Sequence, residues 1–189
     1  DSTADQCPKI VRLASCIIRL YGVHQALTDI DNQRIYNGQG LIHECLNYAT
    51  GIGFKEVFED LIGEKIISFP DEGSNNGCFQ ITTAEDPQVY HCDTQKWAAM
   101  IYLTPDAPLE SGTRTHEHKI NKSKHSSDNN IADTFSGGHY DSTKFNVVDN
   151  IGNVYNRLVI MDARSIHSAG NYFGNSKETG RLIQLFFFD

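Results

Sequence analysis

The sequence predicts a mainly β fold with N-terminal helices, in which the strands form an antiparallel sandwich or barrel. Over about the first 65 residues, apolar side chains recur at helical spacing, whereas from Ile66 onward short β-rich runs alternate with turn residues. A parallel α/β sheet would need helices between its strands, and no helical pattern follows Gly63. We therefore expect a helical region over residues 1–65 that packs on a β core over residues 66–189, together forming one structural domain.

Three segments of the N-terminal region have the apolar spacing of an amphipathic helix: Pro8–Tyr21, Leu41–Ala49 and Phe54–Ile62. The first is followed by Gly22 and the last by Gly63, and glycine is the residue that most often follows a helix end. Each helix has one apolar side that must be buried, so we expect these helices to cover part of the β core.

The β region contains nine short runs with strand character, separated by turn residues: Ile66–Phe69, Cys78–Thr83, Gln88–Asp93, Trp97–Leu103, Thr113–His118, Lys144–Val148, Val154–Met161, Ser165–Ala169 and Leu182–Phe188. The Asp-, Asn- and Gly-rich residues 149–153 predict a hairpin turn between two of them. Many short strands in about 120 residues are typical of a sandwich or a barrel.

A long polar segment, Ser111–His139, stands apart from this pattern. Its aliphatic and aromatic residues are few and scattered: Ile120, Ile131, Ala132 and Phe135. A loop of this length inside one domain is either functional or disordered. We expect a polar insertion that closes as a lid over a substrate and is mobile without one.

Composition and charge exclude several classes of partner. The net charge is −8 and no basic patch is present, so we expect no nucleic-acid partner. No window approaches 18 consecutive apolar residues, so we expect no membrane span. Five scattered cysteines without a CxxC pair favour reduced thiols in a cytoplasmic protein. The chain begins at Asp1 rather than Met, so we expect either a trimmed N-terminus or a chain excised from a longer one; the oligomeric state stays open.

His91, Asp93 and His167 are the candidate metal ligands. His91 and Asp93 are two residues apart at the end of a β-rich run, so both side chains can face one ion. His167 lies on a second short run near the end of the chain. Two imidazoles and one carboxylate form the facial triad of non-haem iron(II) oxygenases, which leaves coordination positions open for a co-substrate and O₂.

Arg181 opens the last apolar strand, where a guanidinium would face the interior of the β core. A buried cation needs an anionic partner, and a dicarboxylate bound to the metal could meet it through two parallel hydrogen bonds. Asp162 and Asp189 are alternative partners, and so is solvent at the start of the strand.

Over about residues 77–189 the chain resembles the Fe(II)/2-oxoglutarate-dependent oxygenases, nearest to the prolyl-hydroxylase-like and phytanoyl-hydroxylase-like branch. The resemblance consists of six pieces in order: His91-x-Asp93, Ala99–Leu103, Glu110–Thr113, Arg157–Asp162, Ile166–Gly170 and Arg181. It implies a double-stranded β-helix, a cupin-like jelly roll of eight strands with helices packed on one sheet.

The resemblance also implies a function. Fe(II) would be held by His91, Asp93 and His167, 2-oxoglutarate and O₂ would be co-substrates, and a C–H bond of a small-molecule or peptide substrate would be hydroxylated with release of succinate and CO₂. Arg181 matches the residue that holds the far carboxylate of 2-oxoglutarate, and Lys177 is the rival. Tyr102 and Thr113 could add hydrogen bonds. The partner of the 1-carboxylate and the substrate stay open.

Two other readings of the chain remain. His116 and His118, with His125 nearby, imitate the H-x-H of cupins, so a cupin-type metalloprotein is one alternative; a non-catalytic jelly-roll binding module is the other. Solvated or substrate-facing roles are expected for His116, His118 and His139 in or beside the lid. Trp97 is expected either to pack in the core or to line the substrate mouth.

Overall fold

The computed structural model describes residues 34–36, 41–43, 54–69 and 76–189, with the first two ranges described as backbone strands. The predicted helix over Pro8–Tyr21 lies outside these residues. The helix predicted over Leu41–Ala49 is wrong at its start, because Leu41–His43 is a strand; residues 44–49 lie outside the described ranges. Within the described ranges, no helix has the length and apolar character needed to cross a bilayer.

The larger of two antiparallel sheets has six strands within the described residues, in the spatial order β1-β2-β3-β9-β4-β7. Their bounds are Arg34–Tyr36 for β1, Leu41–His43 for β2, Phe79–Thr82 for β3, Trp97–Tyr102 for β4, Leu158–Asp162 for β7 and Arg181–Phe188 for β9. β9 lies between β3 and β4, so the last strand of the chain is a central strand of this sheet.

The smaller sheet has the order β6-β5-β8, with β5 over Thr113–His118, β6 over Phe145–Ile151 and β8 over His167–Ala169. An isolated antiparallel bridge between His91 and His167 adds one residue beside β8. After β4, the chain passes from the larger sheet to the smaller sheet for β5 and β6, and it returns to the larger sheet for β7. It then crosses to the smaller sheet for β8 and returns to the larger sheet for β9. This alternation brings residues far apart in sequence between the two sheets.

Side chains alternate along β9 between the two faces of the larger sheet, as the period of two requires. Leu182, Phe186 and Phe188 belong to an apolar cluster on the face away from the smaller sheet, here called the outer cluster. Ile183 belongs to a second apolar cluster on the opposite face, here called the inner cluster. The inner cluster also includes Ile151 of β6, so the inner face of the larger sheet packs towards the smaller sheet. Arg181 has the same parity as Ile183 and therefore points between the sheets.

The first described helix, α1, spans Phe54–Ile62 and covers the outer face of the larger sheet. Phe58 is fully buried, and its ring lies 5.2 Å from that of Phe186 and 5.3 Å from that of Phe188. Gly63 ends the helix with φ of +72°, a conformation that glycine adopts without strain. The helix prediction is confirmed at both ends, and so is its packing on one sheet.

Residues 119–139 pack against the β core. They include the short helix α2, Ile131–Thr134, whose Ile131 packs with Phe135 against the buried cluster of Tyr90, Phe145 and Ile166. The Ser126 N–H donates to the Arg164 carbonyl at 2.8 Å. The first part of the predicted insertion is the core strand β5, so Ser111–His139 is not one continuous loop.

Three sequence predictions need correction. Ile66–Phe69 is not a regular strand, although it runs beside the C-terminus, where Asp189 N–H donates to the Ser68 carbonyl at 2.9 Å. Gln88–Asp93 is extended only to the extent of the bridge at His91. Residues 149–153 are not a hairpin turn, because β6 continues to Ile151 and pairs with β5, whereas β7 pairs with β4 in the other sheet. The other strands lie where predicted, to within a few residues.

Candidate metal centre

His91, Asp93 and His167 meet between the sheets because two backbone pairings hold them there. The His91 N–H donates to the His167 carbonyl at 3.0 Å, and the His167 N–H donates back to the His91 carbonyl at 2.9 Å. Two residues further on, the Asp93 N–H donates to the carbonyl of Ala163, just beyond β7, at 2.9 Å. Both ends of the H-x-D segment are thereby fixed to the sheets.

The three side chains converge on one point. The ligand atoms of His91, Asp93 and His167 all lie within 4.8 Å of one another. Each imidazole Nε2 lies 3.4 Å from a different oxygen of the Asp93 carboxylate. Among the described residues, this is the group of His, Cys, Asp and Glu side chains that comes close enough to share an ion.

Hydrogen bonds on the far sides of the rings fix which nitrogen faces the centre. Nδ1 of His167 lies 2.8 Å from the Ser165 carbonyl, and Nδ1 of His91 lies 3.3 Å from the Val89 carbonyl. A carbonyl can only accept, so Nδ1 carries the proton in each neutral ring and Nε2 presents its lone pair to the centre. This is the usual orientation of metal-binding histidines.

The electrostatics of the triad fit a cation. Burial lowers the pKa of His167 to about 4, and the neighbouring His91 acts in the same direction, so this ring is neutral at pH 7. Burial alone would raise the pKa of Asp93, but its close contacts with the imidazoles of His91 and His167 hold it below its usual value. The Asp93 Oδ2 atom is buried without a hydrogen-bond partner. A divalent metal would satisfy that oxygen and both Nε2 lone pairs.

A cavity of about 100 Å³ adjoins the triad. By the same measure, one water molecule needs at least about 10–15 Å³, so the cavity has room for a small organic ligand. Both sheets contribute to its wall, with Met100 and Ile183 from the larger sheet and Thr113 from the smaller one.

Arg181 lies in the wall of this cavity and is 1% exposed. Its Nε donates to the Ser111 carbonyl at 2.7 Å and its Nη2 to the Gly112 carbonyl at 3.2 Å. Within the described part of the chain, no carboxylate forms an ion pair with it, so neither Asp162 nor Asp189 is its partner. Burial lowers the pKa of Arg181, while Tyr102 and Tyr172 act against that shift. The guanidinium therefore presents a desolvated positive charge to the cavity.

Tyr102 and Thr113 form a buried pair beside Arg181. The Tyr102 hydroxyl donates to Thr113 Oγ1 at 2.8 Å, and the Arg181 guanidinium lies 5.6 Å from the centre of the Tyr102 ring. Thr113 lines the cavity directly, whereas Tyr102 lies behind it. The rival residue Lys177 lies in the turn before β9 and does not line the cavity.

The structure gives His116 and His118 packing partners outside the cavity. The His116 ring is buried 4.9 Å from that of Tyr90, and its Nε2 lies 2.8 Å from the Ser168 hydroxyl. His118 is buried against Asn121, with 2.8 Å between Nδ1 and Oδ1. Neither ring is solvated, and the two share no ion with a third ligand among the described residues.

His139 and Trp97 also lie away from the cavity lining. Nδ1 of His139 donates to the Tyr90 carbonyl at 3.0 Å, and its ring stacks on Phe135 at 4.9 Å. Trp97 points to the outer face of the larger sheet, where its Nε1 donates to Glu64 at 2.8 Å. The packing role of Trp97 is therefore the one that the structure favours.

Tyr172 is a cavity residue that the sequence did not reveal. It lies in the loop between β8 and β9 and lines the cavity on the side of Arg181. Burial raises the pKa of Tyr172, and the Arg181 guanidinium acts against that shift. A lone aromatic residue in a loop has no periodic signal, so only the fold could bring it to light.

Comparison with known proteins does not add a family. No protein-family model matches the chain, and no curated protein matches it either. The chemistry of the cavity is therefore the basis for a function.

Proposed function

We propose that this protein is an Fe(II)- and 2-oxoglutarate-dependent dioxygenase that hydroxylates a C–H bond of its substrate and releases succinate and CO₂. One observation carries the proposal. A fully buried guanidinium, Arg181, shares a cavity with a two-histidine, one-carboxylate cluster, and no described acidic side chain pairs with it.

The ligand set supports iron as the metal. His91, Asp93 and His167 offer two nitrogens and one carboxylate from the same side of the centre, and the cavity lies on the open side. Sites of this composition with open positions are typical of non-haem iron(II) oxygenases. A closed structural zinc site would have four protein ligands, and the described residues supply three.

Arg181 supports a dicarboxylate as the co-substrate. A cation buried without an anionic partner is costly, and a carboxylate in the cavity would remove that cost. The planar guanidinium matches a carboxylate with two parallel hydrogen bonds. Thr113 and Tyr172 line the same end of the cavity and add hydroxyl groups near it.

The strand order supports a jelly roll. The sequence β3-β9-β4-β7 in the larger sheet faces His91, β8, β5 and β6 in the smaller one. Four of the six strands of the larger sheet thus face the three strands of the smaller sheet and the bridge at His91, and repeated crossings between two such layers are typical of a double-sheet jelly roll. The triad lies between the sheets, where such folds hold ligands.

Iron and 2-oxoglutarate, when bound, supply the oxidising chemistry that activates O₂. The chain supplies geometry and a dry environment. Asp93 and the two imidazoles hold the metal, the Nδ1 hydrogen bonds keep both rings in one tautomer, and Arg181 orients the co-substrate. The buried side chains of Met100 and Ile183 keep water from the closed end of the cavity.

An anaerobic titration tests this function. The purified protein is titrated with Fe(II) and then with 2-oxoglutarate, and we expect a weak visible charge-transfer band with a 1:1 end point. Succinate release under air is measured in parallel. The Asp93→Ala variant should lose stoichiometric iron binding and the band while remaining folded. His125→Ala is the control, because His125 pairs with Asp162 away from the triad.

Two outcomes would contradict the proposal. Iron binding that survives Asp93→Ala but is lost in His116→Ala would favour a cupin-type site. Stoichiometric metal binding without any 2-oxoglutarate band would favour a jelly-roll binding module.

A further inference from the structure

The wall that β9 contributes to the cavity is charged at one end and apolar at the other. Arg181 and Thr113, at the closed end, are 1% and 3% exposed. Leu185 and Phe187 lie further along the inner face of β9, and both are only half-buried. Phe187 lies six positions after Arg181 along the strand, which corresponds to roughly 20 Å. The apolar end is therefore the open one.

The metal triad lies towards this open end. Strand pairing places Ala98 beside both Phe187 and Met161, and Asp93 is bound to Ala163 just beyond β7. The side chains of His91 and Asp93 keep 27% and 17% of their exposure, so a ligand can reach the centre from this side.

The charges in the cavity balance once the proposed metal and co-substrate are bound. Among the described residues, Asp93 and Arg181 are the acidic and basic side chains in its wall, and an imidazole that binds a metal through Nε2 and keeps its proton on Nδ1 is neutral. A dication with Asp93, and a dicarboxylate with Arg181, then leave no net charge. Any further ionised group in the cavity would be buried without a partner, which is unfavourable.

On the basis of the proposed function, we infer that the substrate presents an uncharged, hydrocarbon-rich group to the metal, held by Leu185 and Phe187. A free amino acid does not fit, because its ammonium and carboxylate groups would enter the cavity with its side chain. The group can belong to a small molecule or to a peptide side chain, since the two share the same chemistry.

A matched series of small probes tests this inference. All carry the same isobutyl group: neutral 4-methylpentanamide, anionic 4-methylpentanoate, cationic 3-methylbutylammonium, zwitterionic leucine, and N-acetyl-leucine amide as the peptide-like form. Each is added anaerobically to the protein loaded with Fe(II) and 2-oxoglutarate, and broadening of its methyl proton signals by the paramagnetic iron is measured. Protein loaded with diamagnetic Zn(II) provides the baseline.

We expect one or both neutral probes to be broadened with an affinity at least roughly tenfold above that of every charged probe. The amide and the N-acetyl-leucine amide distinguish a small-molecule substrate from a peptide-borne one, and tight binding of either supports the inference.

A variant at the mouth should reverse the preference. Phe187→Asp places a carboxylate beside the apolar wall. The affinity for 3-methylbutylammonium relative to that for 4-methylpentanamide should therefore rise by roughly tenfold or more. Val147→Asp is the control, because Val147 is 53% exposed on β6 and does not line the cavity. Should Phe187→Asp fail to fold, Leu185→Asp makes the same comparison.

The outcomes separate the two proposals. If the charge-transfer band forms but the charged probes bind as tightly as the neutral ones, or if no neutral probe is broadened, the inference is wrong and the dioxygenase proposal stands. If no band forms, both are wrong, because the charge balance requires the bound dicarboxylate.

Discussion

The charge of Arg181 is held in place but not neutralised. Its hydrogen bonds to the Ser111 and Gly112 carbonyls fix the guanidinium at the closed end of the cavity. Carbonyl groups are dipoles and carry no net charge, so the positive charge remains available to a ligand. This distinguishes Arg181 from Arg164, whose guanidinium is already paired with Asp162 at 3.2 Å.

Arg181→Ala should weaken 2-oxoglutarate binding and leave iron binding nearly unchanged. Removing one partner of a desolvated, charge-assisted pair costs on the order of 2–5 kcal/mol, which is roughly a thirtyfold or greater loss of affinity. Arg181→Lys should recover only part of it, because an ammonium cannot form two parallel hydrogen bonds. The measurement is 2-oxoglutarate titration of the iron-loaded variants at the charge-transfer band.

Lys177→Ala is the matched control and should have little effect. If Lys177→Ala weakens 2-oxoglutarate binding and Arg181→Ala does not, Lys177 rather than Arg181 is the residue that holds the far carboxylate. Thermal unfolding of each variant shows whether a loss of binding is merely a loss of fold.

His116 should make the protein less stable in acid. Burial lowers its pKa to about 4, whereas an unfolded histidine titrates near 6.5. Between these two pH values the unfolded state binds the extra proton, so stability falls as the pH is lowered through this window. For His116 alone, the free energy of unfolding should decrease by about 2 kcal/mol from pH 7 to pH 5.

The comparison is between the metal-free wild type and His116→Gln, each unfolded by urea at both pH values. His116→Gln should lose less stability than the wild type on acidification, because it cannot titrate and its amide can still donate to Ser168. Equal losses in the two proteins would show that His116 is not protonated on unfolding in this range.

At the residue scale, the sequence was sufficient to predict which strand residues contribute to the site, but it could not identify contributing residues in loops. Arg181 was predictable because it directly precedes an almost continuously apolar run, which indicates a strand buried on both faces. Tyr172 was not, because no periodicity orients a loop residue. His116 and His118 were predicted to be solvated or substrate-facing because their neighbours are polar, but both are buried, and a bulge between Thr115 and His116 changes the register of β5.

At the scale of elements, strand pairing and packing determined the secondary structure of segments whose local sequence pattern was ambiguous. The apolar spacing in Phe54–Ile62 is unambiguous, and α1 has those bounds. Leu41–His43 is too short for periodicity to decide, and pairing with β3 makes it a strand. The Asp- and Gly-rich residues 149–153 have the local composition of a hairpin turn. The chain nevertheless crosses to the other sheet after them, and this depends on tertiary packing that the local sequence does not encode.

The segment from 119 to 139 should not open as a lid. Its backbone is tied to the core by the Ser126 bond to Arg164 and by the His139 carbonyl, which accepts from Tyr90 at 2.8 Å. Phe135 packs against the buried cluster, and no residue from 114 to 139 lines the cavity. We expect slow hydrogen exchange at the Ser126 and Thr134 amides, with no change when Fe(II) and 2-oxoglutarate bind.

The amide of Phe186 in the central strand β9 provides the reference for global unfolding. Fast exchange at Ser126 and Thr134 that becomes slow on ligand binding would restore the lid hypothesis. Protease sensitivity across the same residues gives an independent measurement of opening.

At the scale of the whole molecule, the two sheets place a candidate metal-binding triad and a buried cation in one cavity. The triad comes from the H-x-D segment and β8, and Arg181 comes from β9 of the opposite sheet. With the proposed metal bound, two positive centres, the metal and the guanidinium, would face the same ligand. Neither sheet alone contains this arrangement, so the sandwich itself makes the site.

This arrangement predicts that metal and 2-oxoglutarate bind with positive coupling. Without the metal, a dicarboxylate meets the negative charge of Asp93 at one end; with the metal, it meets a positive centre at both ends. We therefore expect each ligand to raise the affinity of the other by at least about tenfold, and thermodynamic linkage requires the two factors to be equal. Anaerobic calorimetric titrations in both orders, with Fe(II) first or 2-oxoglutarate first, measure both factors.

In Arg181→Lys the affinity for 2-oxoglutarate should fall while coupling to the metal persists, because the metal still removes the repulsion from Asp93. Equal 2-oxoglutarate affinity with and without metal would show that the dicarboxylate does not contact the metal, and would leave Arg181 as an isolated anion site.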